Sequence, residues 1–331
     1  MEERNFRSYY YEKVGFRVVE EKKSLEILLK EKPVDRNKLV QFTLRFPVPA
    51  VHRNLLWKLL LDTLPLYMDQ HQFVAKQRQE QFQDMLHALP VLVHLPPNPS
   101  PKFHLFVLMR HLESGSLKLD YNSQLYSRDS HIFITINEAL SDIIDCECDI
   151  YWVSKGIFKL LKSFRPYFPV LVSYTDKLLL MQDEQLYKYL ASQKILESLP
   201  LEGWFDNCFA EILPIVSLQR IWDKILGGSS IIMVFVVISL LSRIRQTIFK
   251  LNNVHKLVES IKKLTESIAD MVVTEAIQLW QQYGSPIFPG SNNDCLKDHH
   301  KAVCLASHMK CHLGLKSDPV STLPKLSRKI A

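Results

Sequence analysis

Apolar residues recur along this chain every three or four positions, the period of a helix with one buried face. Lys23–Leu29 brings Leu25, Leu28 and Leu29 together before Pro33 interrupts the run. FPVPAVHRNLLWKLLL follows, with Pro49 suited to a first helical turn and Pro65 marking the far end. Met68–Leu89 is a long amphipathic run predicted to stop at Pro90, and LPPNPSP (95–101) is a strong loop signal. Phe103–Leu112 reads as a helix, while Glu113–Ser130 is polar and aperiodic. His131–Phe164 gives two helices around a short acidic joint, with Phe133, Ile136, Leu140, Ile143 and Ile144 on one face. Lys177–Ser192 is a further helical run. Val254–Tyr283 carries a stripe of Leu257, Ile261, Leu264, Ile268, Met271 and Val272.

These runs predict an all-α, two-lobed protein with its lobe boundary near Pro166 and Pro169. The divisions are an N-terminal helical extension over 1–46, a first lobe over 47–165, and a second lobe with a terminal helix over 166–283. From Gly284 the chain turns to Ser, Asn, Pro, Lys and His, and 284–331 is expected to be a mostly disordered tail.

Composition sharpens this picture. Only 9 glycines in 331 residues favour helices joined by short loops. Lys and Arg number 41 against 35 Asp and Glu, a mild +6 with no long basic run, so no nucleic-acid partner is expected. The opening residues carry charge and no continuous apolar stretch of the kind a secretory signal needs. IIMVFVVISLL (Ile231–Leu241) is about half the roughly 20 residues of a bilayer helix and runs into Arg243 and Arg245. It is predicted as a helix buried on all sides, with no transmembrane segment. Six irregularly spaced cysteines fit a reduced, cytoplasmic protein.

Candidate chemistry is sparse. No GxxxxGK[ST], GxGxxG, GxSxG or HExxH pattern occurs, and Gly227-Gly228 suits a helix end. The joint Asp142, Asp145, Glu147 and Asp149 lacks the glycine and spacing of a calcium loop. Cys295, His299, His300, Cys304, His308, Cys311 and His312 cluster in the tail without any zinc-site spacing. Neither a metal nor a cofactor is expected. What stands out is an arginine before a tryptophan on an apolar helix, twice: Arg53 with Trp57, and Arg220 with Trp222, the latter followed by Asp223. A half-buried guanidinium needs a carboxylate or carbonyls and stacks on an indole, so a structural role is the first expectation.

Both stretches resemble the TBC domain family, the all-helical Rab GTPase-activating fold. Arg53-x-x-x-Trp57 matches its first conserved block. GWFDNCFAEILPIVSLQRIWDKILGGSSIIMVFVV (Gly203–Val237) resembles a late one, with Trp204 in its Trp-Phe pair and Arg220, Trp222 and Asp223 in its Arg-x-Trp-Asp. RNFRSYYYEKVGFRVVEEKKSLEILLK, SLQRIWDK and DIYWVSKGIF narrow the resemblance to the subfamily that forms the third subunit of the tuberous sclerosis complex, beside hamartin and tuberin.

The resemblance implies specific expectations. Active members supply an arginine from IxxDxxR, which stabilises charge on the transferring phosphoryl group, and a glutamine from YxQ, which orients the attacking water. Here no Asp has an Arg three residues later and no Tyr has a Gln two residues later. The resemblance then implies a non-catalytic subunit that binds the hamartin coiled coil and, through it, tuberin. Such a subunit supports Rheb GTP hydrolysis and restrains target-of-rapamycin signalling, and its cytoplasmic pool is recruited to lysosomal or vesicle membranes. Phe133, Ile136, Leu140 and Ile143 are the candidate surface for a partner helix. Two alternatives remain: a Rab GTPase-activating protein using Arg110 or Arg128 with Gln124 as substitute fingers, or a module that binds a Rab or Rheb GTPase without stimulating it.

Overall fold

The computed structural model describes residues 17–93, 95, 101–250 and 254–287. The tail cysteines and histidines, and most of LPPNPSP, lie outside them. Among the described residues there are helices and turns and no strands.

Thirteen longer helices can be followed: α1 (Arg17–Leu29), α2 (Arg36–Arg45), α3 (Ala50–Leu60), α4 (His71–Leu92), α5 (Lys102–Glu113), α6 (Arg128–Ser141) and α7 (Glu147–Phe164), then α8 (Phe168–Gln182), α9 (Glu184–Ser192), α10 (Ile215–Leu226), α11 (Ile232–Arg243), α12 (Val254–Lys262) and α13 (Glu266–Gln282). Local chemistry accounts for their ends. Asp35 caps α2 by accepting from the Asn37 and Lys38 amides, and Ser127 caps α6 through the Ser130 amide. Pro166 and Pro169 sit in first turns, of a single 3₁₀ turn (Arg165–Tyr167) and of α8, where a missing N–H costs nothing.

Two expectations are corrected. Helix α4 runs through Pro90 to Leu92, forgoing the bond from residue 90 to the Leu86 carbonyl close to the helix end. The stripe predicted as continuous over Val254–Tyr283 breaks between α12 and α13, where Thr265 caps a new helix. The buried face is thereby re-phased onto Ala269, Val272, Val273, Ala276 and Trp280, leaving Met271 exposed.

At the centre of one packing region is α11, whose residues from Ile232 to Leu241 are all buried against α13, α8 and α10. No described helix is long and apolar enough to cross a membrane. Helix α10 ends at Gly227, which approaches α2 so closely that a Cβ there would lie 2.7 Å from Thr43 Oγ1. Gly228 follows with φ of 99°, a left-handed conformation that favours glycine. A second region packs α4, α5, α6 and α7 around Phe82, Phe106, Phe133 and Tyr151, whose rings meet mostly edge to face.

Candidate functional site

Arg53 and Trp57 rise one turn apart on α3 and converge on one carboxylate delivered by α10. Arg53 Nε donates to Asp223 Oδ1 at 3.2 Å and Nη2 to Oδ2 at 3.3 Å. The remaining donors reach Gln219 Oε1 (2.6 Å) and the Val48 carbonyl (2.7 Å). Trp57 Nε1 donates to Asp223 Oδ1 at 2.8 Å, and its ring lies 6.0 Å from Trp222. Arg53 and Asp223 are both buried, and burial pushes the Asp223 carboxyl up to about 6 against the pull of Arg53. Next along α10, Lys224 is buried and donates to the carbonyls of Thr43 and Phe46, the orphan acceptors at the end of α2. Burial pushes this ammonium down to about 8. Arg220 instead ties α10 to α13 through Asp270 and Thr274, Trp222 donates to the Cys208 carbonyl, and Trp204 is buried. This constellation joins segments about 170 residues apart. Each of the three guanidinium nitrogens of Arg53 has a protein acceptor, which is the pattern of a structural arginine.

The other three candidates lie around α5 and α6. Gln124 is buried with its amide fixed at both ends: Oε1 accepts from the Lys118 amide at 2.9 Å and Nε2 donates to the Ser116 carbonyl at 2.8 Å. The same Nε2 lies 3.0 Å from His111 Nδ1, so that ring nitrogen accepts and the proton sits on Nε2. The Gln124 side chain thus closes the loop after α5. Arg110 packs against two phenylalanines, its Cζ 4.4 Å from the Phe158 ring centre and 4.9 Å from that of Phe133. Arg128 is largely exposed and reaches the buried Asp206 Oδ2 at 3.0 Å. Asp206 also accepts from Arg165 Nε at 2.6 Å. Arg165 in turn shares Asp129 with Lys162. The structure therefore gathers Arg110 and Arg128 into one charged cluster with Asp129, Lys162, Arg165 and Asp206. The last four were missed from sequence, because residues so scattered along the chain share no periodicity that would join them.

The candidate partner surface is corrected. Phe133, Ile136 and Leu140 are fully buried, and Ile143 is half-buried at the turn after α6. Their stripe faces the domain's own core, meeting Tyr151 and Phe158 of α7, so a partner helix cannot lie on it. A helical period reports a buried face without saying whose surface buries it. In the acidic joint Asp142, Asp145 and Glu147 are exposed, and Asp149 alone is partly buried. Asp149 accepts from Asn54 and Lys58 and anchors α3 to α7. No described group of three or more His, Cys, Asp or Glu residues could hold a metal ion.

Fold and sequence together define the class. The solved Ypt/Rab-GAP domain of Gyp1p superimposes over 80% of this chain and 99% of its own, with a TM-score of 0.54 at 15% identity. The Rab-GTPase-TBC domain model matches residues 131–249. The chain belongs to the TBC domain family. It is 39% identical over 287 residues to TBC1 domain family member 7 of Bos taurus, covering 86% of this chain and 97% of that protein. The proteins of the same name from Xenopus tropicalis and Homo sapiens are 40% and 38% identical, over 85% and 86% of this chain and 96% and 97% of their own lengths.

Proposed function

We propose that this protein is a non-catalytic TBC-domain subunit. It binds the hamartin coiled coil in the tuberous sclerosis complex and so supports GTP hydrolysis by tuberin on Rheb and restraint of target-of-rapamycin signalling. Its organisation is an extension over 1–46, lobes over 47–165 and 166–283, and a tail beyond. It works in the cytoplasm and reaches lysosomal or vesicle membranes through the complex.

One observation carries the reading. Both finger spacings are missing, and the nearest substitutes are placed differently: Gln124 is held by Ser116 and Lys118, Arg128 is paired with Asp206, and Arg110 is half-buried against two aromatic rings and does not reach outward. A water-orienting glutamine needs a free amide, and a finger arginine must reach outward to a γ-phosphate. The similarity to TBC1 domain family member 7 over most of the chain supports the choice of subfamily. A partner helix would then use a surface other than the buried Phe133–Leu140 stripe.

The test has two arms on the purified full chain: GTP hydrolysis by a Rab panel, and pull-down of a hamartin coiled-coil fragment. The expected result is hamartin capture without stimulated hydrolysis. Stimulation abolished by Arg128→Ala would establish the substitute-finger alternative instead. Loss of hamartin capture, with the chain folded, would remove the subunit reading.

A further inference from the structure

The cluster beneath α5 and α6 has more positive charge than its carboxylates neutralise. Four cations, Arg110, Arg128, Lys162 and Arg165, stand against two carboxylates, Asp129 and Asp206, a surplus of two. The pairing is also uneven. Asp129 is shared by Lys162 (2.8 Å) and Arg165 (2.7 Å), and Asp206 by Arg165 (2.6 Å) and Arg128 (3.0 Å). Arg110 receives neither. Its guanidinium makes no hydrogen bond or ion pair with any described residue.

The surroundings hold Arg110 in place all the same. Its Nε is enclosed without an acceptor, while the terminal nitrogens are not enclosed. Two rings, nearly perpendicular to each other, contact the guanidinium, and Lys162 Nζ and Arg165 Cζ sit 5.0 and 5.9 Å from the centre of the same Phe158 ring. Three cations therefore ring one phenylalanine. Two independent titratable groups register the resulting field. Burial lowers the Arg110 pKa and Arg165 adds to that, while Asp129 and Tyr151 oppose it; burial lowers the His111 pKa, with Arg110 and Lys162 adding and Asp129 opposing. An arginine has five N–H donors in a planar fork. Half-burying such a fork beside two other cations, with no protein acceptor, is unfavourable unless something else supplies oxygen atoms and negative charge.

We infer that Arg110, with Lys162 and Arg165 around the Phe158 ring, forms a receptor for a phosphate monoester or inorganic phosphate. The charge count selects that class over a carboxylate. A phosphate brings about −1.5 to −2 at neutral pH, close to the surplus of two, whereas a carboxylate would leave one cation unbalanced. The fork offers paired donors to two phosphate oxygens, and the two ring contacts hold it in place before the ligand arrives. This site supplies binding only. No bond is made or broken there, and it is independent of hamartin capture.

The test uses thermal melting of the full chain in inorganic phosphate against sodium chloride at matched ionic strength and pH 7.5. Phosphate is expected to raise the midpoint by several degrees more than chloride does. Arg110→Gln keeps its midpoint in chloride and loses the phosphate increment, and Arg110→Lys, which keeps the charge but not the fork, retains less than half of it. Should Arg110→Gln unfold, Lys162→Gln at the exposed edge of the cluster must at least halve the increment. Titration with a neutral peptide carrying one phosphoserine then separates the sources. Binding ten-fold tighter than inorganic phosphate assigns the site to a phosphorylated side chain, and equal binding assigns it to a free phosphate species. No phosphate-specific increment in the native chain, or one that survives Arg110→Gln, overturns the inference.

Discussion

Two arginines in this protein look alike along the chain and differ in the fold. Arg53 and Arg110 both sit on apolar helices near aromatic side chains. Arg53 is buried and fully supplied with acceptors: a carboxylate, an amide oxygen and a backbone carbonyl. Arg110 is half-buried and receives none from the described residues, only the faces of Phe133 and Phe158. Removing an acceptor-matched ion strands its partner, whereas removing an unmatched one strands nothing. The aromatic neighbour is common to both, so it cannot be what separates a structural arginine from a receptive one. The carboxylate separates them.

The largest expected effect tests the floor under Arg110. Leu140 lies on the same α6 stripe as Phe133 and is fully buried. Leu140→Asp places a carboxylate in that core with no cation opposite. It should cost upwards of about 4 kcal/mol and abolish a cooperative melting transition. A folded Leu140→Asp protein that had merely lost a partner would return this stripe to the surface and remove the ring contacts that hold Arg110.

Next in size is the Arg53 pair itself. Arg53→Ala leaves Asp223 and Trp57 Nε1 facing an emptied site, and breaking a buried pair from one side costs about 3–5 kcal/mol. Urea denaturation should show that loss, while Arg110→Ala should shift stability by less than about 1 kcal/mol because no carboxylate depends on it. Equal losses in the two variants would dissolve the contrast. Arg165→Ala belongs between them. It uncovers the buried Asp206 but leaves Arg128 as a second, solvent-screened partner, so a cost of about 1–2 kcal/mol is expected in the same measurement.

How far these sites could be read from residues alone follows from the same contrast. Helix content, the buried Ile231–Leu241 segment and the glycine turn after Leu226 are local properties, set by spacing and backbone freedom, and they were legible. Arg53 and Asp223 were each conspicuous, but the pairing that links them spans 170 residues and has no local signature. The Asp129–Lys162–Arg165–Asp206 network was invisible for that reason. The stripe on α6 was legible as a stripe and misread as a surface, since periodicity fixes which residues share a face and says nothing of what covers it. The break at Thr265 escaped notice because apolar residues continue on either side of it while their phase shifts.

The last expected effect is a slope with pH and concerns Lys224, the neighbour that extends the Arg53 site. Its ammonium is buried at the end of α2 and titrates at about 8, well under the ordinary lysine value of 10.5. Burial is the main cause; Arg220 pushes the same way, while Asp223 and Glu21 oppose it. Between pH 8 and 10.5 the unfolded chain therefore holds more protons at this residue than the folded one does, so the contribution of Lys224 to stability rises with pH over that window. Below pH 8 both forms are protonated and the full desolvation cost stands. Lys224→Met removes the titration while keeping much of the packing. The urea midpoint of the native chain, measured relative to this variant, should climb from pH 8 to pH 10 by the equivalent of about 1 kcal/mol per pH unit at most. Asp223, which Lys224 helps to hold down, titrates at about 6, below this window, and groups that do not sense Lys224 cancel between the two chains. A flat difference would mean that the carbonyls of Thr43 and Phe46, together with Asp223, solvate the ammonium as well as water does. The Arg53 site would then be matched in charge throughout, and the contrast with Arg110 would be wider than the burial of Lys224 suggests.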